Sequence, residues 1–151
     1  MESIRVDKVE KNFERAEELL DFVRGCSWVE VRDHLASMIE HWVFTDWETM
    51  FMATIRGKIV GICTIMKTDY YPLPEIFPWI SSVYVLEEYR GKRVSEKLIG
   101  FANGYAVAIG FERTYIPTEY IGLYEKYGYR FLREIENYGG GKERLLVKEL
   151  D

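Results

Sequence analysis

Cysteine is scarce: Cys26 and Cys63 are the only two in 151 residues, and they form no C-x-x-C pair. That argues against a disulfide framework and a cysteine zinc site, and it suits a reducing compartment. No apolar run approaches the ~20 residues needed to cross a bilayer. The start, Met1-Glu2-Ser3-Ile4-Arg5, has no basic run ahead of an apolar stretch, so no secretory leader is expected. These absences predict a soluble, cytoplasmic protein with no membrane partner. The only histidines, His34 and His41, are seven apart on one predicted helix, roughly 10 Å along its axis. They cannot chelate one metal as a pair, and no metal is expected. Positive charge is not in excess either. Against 25 acids stand 20 Lys and Arg, a net charge of −5, which argues against general nucleic-acid binding.

What is present is ordinary for a globular protein: 48% hydrophobic and 30% charged residues. The length fits a single domain over 1–151, large enough for a proper core. The charge is uneven. Residues 1–48 hold 12 acids and 6 bases, whereas Arg90, Lys92, Arg93 and Lys97 stand against Glu96 alone. One short basic segment, suited to an anion, lies within an acidic chain.

Periodicity sets out the elements. Ile4-Arg5-Val6 reads as a short strand. Phe13, Ala16, Leu19, Leu20 and Val23 recur at helical spacing up to a cap at Gly25. Ser27-Trp28-Val29-Glu30 reads as a capping box opening a second helix, with Val31, Leu35, Met38 and Trp42 on one face. Trp47 to Ile55 and Lys58 to Met66 read as strands joined at Arg56-Gly57. Three of the four prolines make Asp69 to Pro78 a loop, and Trp79 to Val85 is the next strand. A helix then follows Arg90-Gly91-Lys92-Arg93 and ends at Gly110; Glu112 to Ile116 is a strand. Thr118 is expected to N-cap a short helix through Lys126, stopped by Gly128. Tyr129 to Ile135 and Arg144 to Lys148 close the chain around Gly139-Gly140-Gly141. The sum is a mixed α/β (α+β) sheet with helices on its faces.

The informative stretch is Val83-Tyr84-Val85-Leu86-Glu87-Glu88-Tyr89-Arg90-Gly91-Lys92-Arg93-Val94-Ser95. A strand delivers the chain to a turn that opens a basic helix. The first N–H groups of a helix lack internal partners and carry partial positive charge, so they bind anions, phosphates above all. The stretch resembles the cofactor motif of the GNAT superfamily of acyl-CoA N-acyltransferases, R/Q-x-x-G-x-G/A after a strand. Arg90 matches its first position; Arg93 stands at the usual middle glycine and Ser95 at the final Gly or Ala. A side chain is permitted there if both positions hold ordinary helical dihedrals. Arg93 would then add a charged contact to a phosphate, and Ser95 a hydroxyl donor. Downstream, Leu123-Tyr124-Glu125-Lys126-Tyr127-Gly128-Tyr129 resembles the superfamily's later motif, L-Y-x-K-x-G-F/Y, although Pro117 replaces an asparagine often found seven residues before the tyrosine.

The resemblance implies a mostly antiparallel sheet of six to seven strands flanked by about four helices. It implies acetyl-CoA as co-substrate and transfer of the acetyl group to a primary amine of a small molecule in a ternary complex. The strand at Val83, Tyr84 and Val85 would splay from its neighbour, pair with the pantetheine arm and polarise the carbonyl. Main-chain amides from Gly91 through Lys92, Arg93 and Val94 to Ser95 would hold the pyrophosphate. Tyr124 would protonate the departing thiolate. The carboxylate that many relatives place on the preceding strand is missing from Ile80-Ser81-Ser82, with Glu75 or a water on Ser81 or Ser82 as substitutes. An acidic first third with Trp28, Trp42, Tyr70 and Tyr71 suits a cationic amine, or is simply the outer face of two helices. A homodimer is compatible with the resemblance. The competing reading is a module that binds acyl-CoA without turnover.

Overall fold

The computed structural model describes residues 3–150, without the side chain of Glu30, which the expected capping box needs. The alternating runs form seven strands: β1 (Ile4–Val9), β2 (Thr49–Ile55), β3 (Lys58–Met66), β4 (Trp79–Val85), β5 (Arg113–Thr118), β6 (Arg130–Glu136) and β7 (Lys142–Glu149). They make one sheet in the order β1-β2-β3-β4-β5-β7-β6. Every pairing is antiparallel except β4 with β5. With α1 (Ala16–Arg24), α2 (Val29–His41) and α3 (Val94–Ala108), this is the expected mixed, mostly antiparallel class, with three α-helices rather than four.

Successive side chains of a strand face opposite sides, and β2 shows it. Met50 and Met52 pack with Leu19 and Val23 of α1 and Leu35, Ala36 and Ile39 of α2. Phe51 and Ala53 pack with Leu98, Ile99, Ala102 and Ala106 of α3. Trp79, Tyr71 and Leu145 form a third cluster on the face away from α3, under the loop that precedes β4. Gly61 lets α3 approach β3: a Cβ there would lie 3.0 Å from Val94 Cγ1 and 3.2 Å from the Tyr84 carbonyl oxygen.

Two local features differ from expectation. Trp28, not Ser27, is the N-cap of α2, and its side chain makes no capping bond. The Ser27 hydroxyl donates to Glu87 Oε1 at 2.8 Å, while the Glu30 half of the expected box lies outside the described side chains. The helix expected from Thr118 to Lys126 is only a 3-10 turn over Tyr124–Tyr127. Thr118 belongs to β5, paired with Arg144, and its hydroxyl accepts the Tyr120 N–H at 3.0 Å. The strand's ladder and a local turn claim the groups that a helix would need.

Candidate active site

β4 and β5 are paired at one point. Trp79 pairs with Tyr115, whose N–H donates to the Pro78 carbonyl at 3.0 Å. On its other edge β4 stays with β3 as far as Val85, and the Leu86 N–H reaches the Val60 carbonyl at 2.9 Å. Peptide groups alternate between the two edges of a strand. Val83 and Val85 therefore turn theirs toward the gap that β5 leaves. Pro117 obeys the same rule: counted from Tyr115, it faces the gap, where no strand needs the N–H it lacks.

Ser82 adopts a φ of 51°, where the β3–β4 register slips. This is a β-bulge. The extra residue resets the alternation, so Trp79, Ser81 and Tyr84 share the face away from α3. Tyr84 reaches the cluster of α1 and α2, and its hydroxyl accepts the Ser27 N–H at 3.3 Å.

The loop after β4 is wound tightly. Gly91 has φ 78°, and Arg93, the N-cap of α3, has φ 69°. Arg93 thus departs from the ordinary helical dihedral expected of it. A left-handed non-glycine residue costs about 1–2 kcal/mol, which explains the glycine in the resembled motif. Ser95, inside the helix, is unstrained. No side chain caps α3, and Lys97 N–H to Arg93 O at 3.1 Å closes its first turn. The N–H groups of Val94, Ser95 and Glu96 have no partner within the helix. Arg90 braces the loop: its Nε donates to the Val85 carbonyl at 3.0 Å, and its guanidinium lies 5.7 Å over the Tyr84 ring.

The opposite wall is the turn carrying Tyr124. β7 holds it through Arg144, which donates to Tyr120 O at 2.8 Å and to Glu125 Oε2 at 3.0 Å. Lys148 Nζ adds a bond to Tyr127 O at 2.7 Å. Below it, a buried triad of Thr114, Asn103 and Tyr129 hydroxyl and amide groups fixes the chain, with Thr114 Oγ1 2.6 Å from Tyr129 OH. Tyr124 is buried, and that burial, followed by Tyr127 and Tyr120 nearby, pushes its hydroxyl well above the usual tyrosine range. It keeps its proton at neutral pH.

Between these walls lies a cleft of about 630 Å³. Of the residues singled out from sequence, Val83, Tyr84, Val85, Arg90, Gly91, Arg93, Val94, Ser95 and Tyr124 line it. Lys92 does not; its ammonium sits 5.5 Å over the Tyr89 ring. The Ser95 hydroxyl, expected to face a phosphate, lies 2.8 Å from Tyr127 OH. Sequence reasoning missed Tyr127 and Leu123 as lining residues, although both fall inside the second motif. It also missed Asp69, whose carboxylate accepts a hydrogen bond from Ser81 Oγ.

The other expectations sort by exposure. Glu75 is exposed and pairs with Arg133 at 3.8 Å. Glu17, Glu18 and Asp21 of α1 and Asp33 and Glu40 of α2 face solvent, Glu18 paired with Arg15 and Glu40 with Arg24. Trp42 packs on Phe44 and Tyr71 on Trp79, while Trp28 and Tyr70 stay exposed. His34 and His41 are exposed. Among the described residues, no group of three or more His, Cys, Asp and Glu side chains could hold a metal, and no helix is long and apolar enough to cross a membrane.

Solved structures share this architecture. An aminoglycoside 6'-acetyltransferase type Ii is 17% identical with a TM-score of 0.75, over 96% of each chain. An aminoglycoside 6'-N-acetyltransferase complexed with coenzyme A is 14% identical with a TM-score of 0.73, again over 96% of each. A spermidine N-acetyltransferase chimera from Vibrio cholerae and hSSAT is 13% identical with a TM-score of 0.68, over 97% of this chain and 95% of that one. At such identities the likeness shows the fold. No curated protein sequence matches the chain. The profile of the acetyltransferase (GNAT) family matches residues 13–129, from before α1 to just past the turn that carries Tyr124. The chain belongs to the GNAT acetyltransferase family.

Proposed function

We propose that the protein transfers the acetyl group of acetyl-CoA to a primary amine of a small molecule, by direct attack within a ternary complex. One observation carries this reading: the unpaired edge of β4, the free N–H groups of α3 and the protonated Tyr124 border a single cleft. The amides of Gly91 to Ser95 take the pyrophosphate, whose charge the helix dipole favours. Val83, Tyr84 and Val85 extend the pantetheine arm as an added strand. The Arg90 guanidinium already occupies the Val85 carbonyl, so the Val83 peptide group is the freer partner for that arm and for the thioester carbonyl. An N–H fixed in a cleft stabilises a developing oxyanion without reorganising.

Tyr124 gives its proton to the leaving sulfur. The hydroxyl arrives protonated at neutral pH and can donate as negative charge builds on the sulfur. Its place in the cleft beside the free edge of β4 favours turnover over a module that only binds acyl-CoA. The acceptor is a cationic amine. Supporting this are the half-buried Asp69 and Glu143 on the face away from α3, and neighbours of the same fold that act on aminoglycosides and spermidine. The two free, buried cysteines support a cytoplasmic setting. Thiol release from acetyl-CoA in the presence of a panel of amines and neutral amino acids tests the reading. Release that depends on a cationic amine is expected; binding of acetyl-CoA without release under any acceptor would contradict it.

A further inference from the structure

The strand before the phosphate loop carries no acid, yet a carboxylate reaches it. Asp69 lies on the loop after β3, twelve positions before Ser81. Its Oδ2 accepts the Ser81 hydroxyl and its Oδ1 accepts the Tyr70 N–H at 2.6 Å. Ser81 is two residues before Val83, across the bulge at Ser82, and projects on the face away from α3. Tyr124 belongs to the opposite face, packed with the α3 core. A thioester carbonyl in the gap between β4 and β5 would therefore be flanked by an acid on one face and a carboxylate on the other.

Resting on the transferase reading, we infer that Asp69 is the general base of the reaction, clipped into place on β4 by Ser81. The Asp69 carboxylate takes a proton from the substrate ammonium, freeing the nitrogen lone pair. That pair forms the C–N bond, and the C–S bond breaks as the tetrahedral carbon collapses. Tyr124 protonates the sulfur and regains a proton from the new amide nitrogen. Asp69 then releases its proton to water. The sum is ammonium and thioester giving amide, thiol and one proton.

The surroundings tune the carboxylate. Burial, and the charge of Glu143 on β7, raise its pKa, while the bonds from Ser81 and the Tyr70 N–H hold it back. Tyr71 also lies near it, donates to Glu143 Oε2 at 2.6 Å and feels Glu119 beyond β5. A base lifted toward the working pH accepts protons more effectively.

The test measures thiol release at saturating acetyl-CoA with spermidine, kanamycin and hydroxylamine, the last already uncharged at neutral pH. Asp69→Asn keeps the shape and the Ser81 contact. It should lower the rate with the two ammonium acceptors about a hundredfold or more, with a much smaller loss on hydroxylamine and unchanged acetyl-CoA affinity by calorimetry. Ser81→Ala removes a donor to the charged form, so the acidic limb of the pH–rate profile should move to higher pH. Equal losses with all three nucleophiles, or an acidic limb unmoved by Ser81→Ala, would overturn the assignment of Asp69 and leave the transferase reading standing. A wild-type protein that binds acetyl-CoA and acylates none of the three would overturn both.

Discussion

Ser95 Oγ and Tyr127 OH stand 2.8 Å apart, joining the first turn of α3 to the turn that carries Tyr124. The two walls of the cleft, 32 residues apart in the chain, are thereby tied by one bond between side chains. Ser95→Ala and Tyr127→Phe should each lower stability by about 1 kcal/mol. The double variant should lose less than the sum, since both remove the same bond. Denaturant titrations of the three proteins measure the coupling. Because the Ser95 hydroxyl is already engaged, Ser95→Ala should leave acetyl-CoA affinity nearly unchanged; a large loss would mean that the hydroxyl serves the ligand instead.

Arg93 sits at φ 69° with its guanidinium 3.4 Å from Glu96 in an exposed pair. Such pairs contribute little, so the backbone strain decides the outcome. Arg93→Gly should raise stability by about 1 kcal/mol, and Arg93→Ala, which keeps a Cβ, should not. Thermal midpoints compare them directly.

Gly61→Ala places a methyl group 3.2 Å from the Tyr84 carbonyl oxygen, a backbone atom that cannot step aside cheaply. Overpacking of this kind costs about 1–3 kcal/mol. The displaced element is the N-terminus of α3, so acetyl-CoA affinity should fall together with stability. Calorimetry on a variant still folded at low temperature separates the two losses.

Tyr124→Phe should lower kcat by about 10²-fold or more with little change in acetyl-CoA affinity. An unchanged rate would remove the tyrosine from proton transfer.

Burial raises the hydroxyl pKa of Tyr71, Tyr124 and Tyr129, the last to about 12. In the unfolded chain these groups ionise near about 10. Above that pH the folded state holds more protons than the unfolded one, so stability should fall as pH rises from about 10 toward about 12. Tyr129→Phe should make that fall shallower, as unfolding midpoints across the alkaline range would show.

Much of this was legible in the sequence because it is local. Leu19 and Val23, the turn at Arg56-Gly57 and the proline-rich loop each follow from spacing or residue type within a few positions. The tight loop that opens α3 was legible from Arg90 and the strand–turn–helix order. What stayed hidden depends on partners far along the chain. The Ser27 hydroxyl, just ahead of α2, donates to Glu87, 60 residues on. Thr118 is held in β5 by Arg144, which forestalls the expected helix. The bulge at Ser82 exists only relative to β3, and the meeting of Asp69 with Ser81 requires that bulge, the loop and β4 together. Arg93 gave a visible signal, a bulky residue where glycine is usual, but its left-handed φ had to be seen.

The proposed function requires that the main-chain amides beyond Arg90 receive the diphosphate of a thioester carrier. Calorimetric titration of the purified protein with acetyl-CoA tests this most directly. Saturable binding at one site per chain, weakened by rising salt and competed by coenzyme A, is the result expected. A titration with no saturable heat, in a protein shown to be folded, would contradict it.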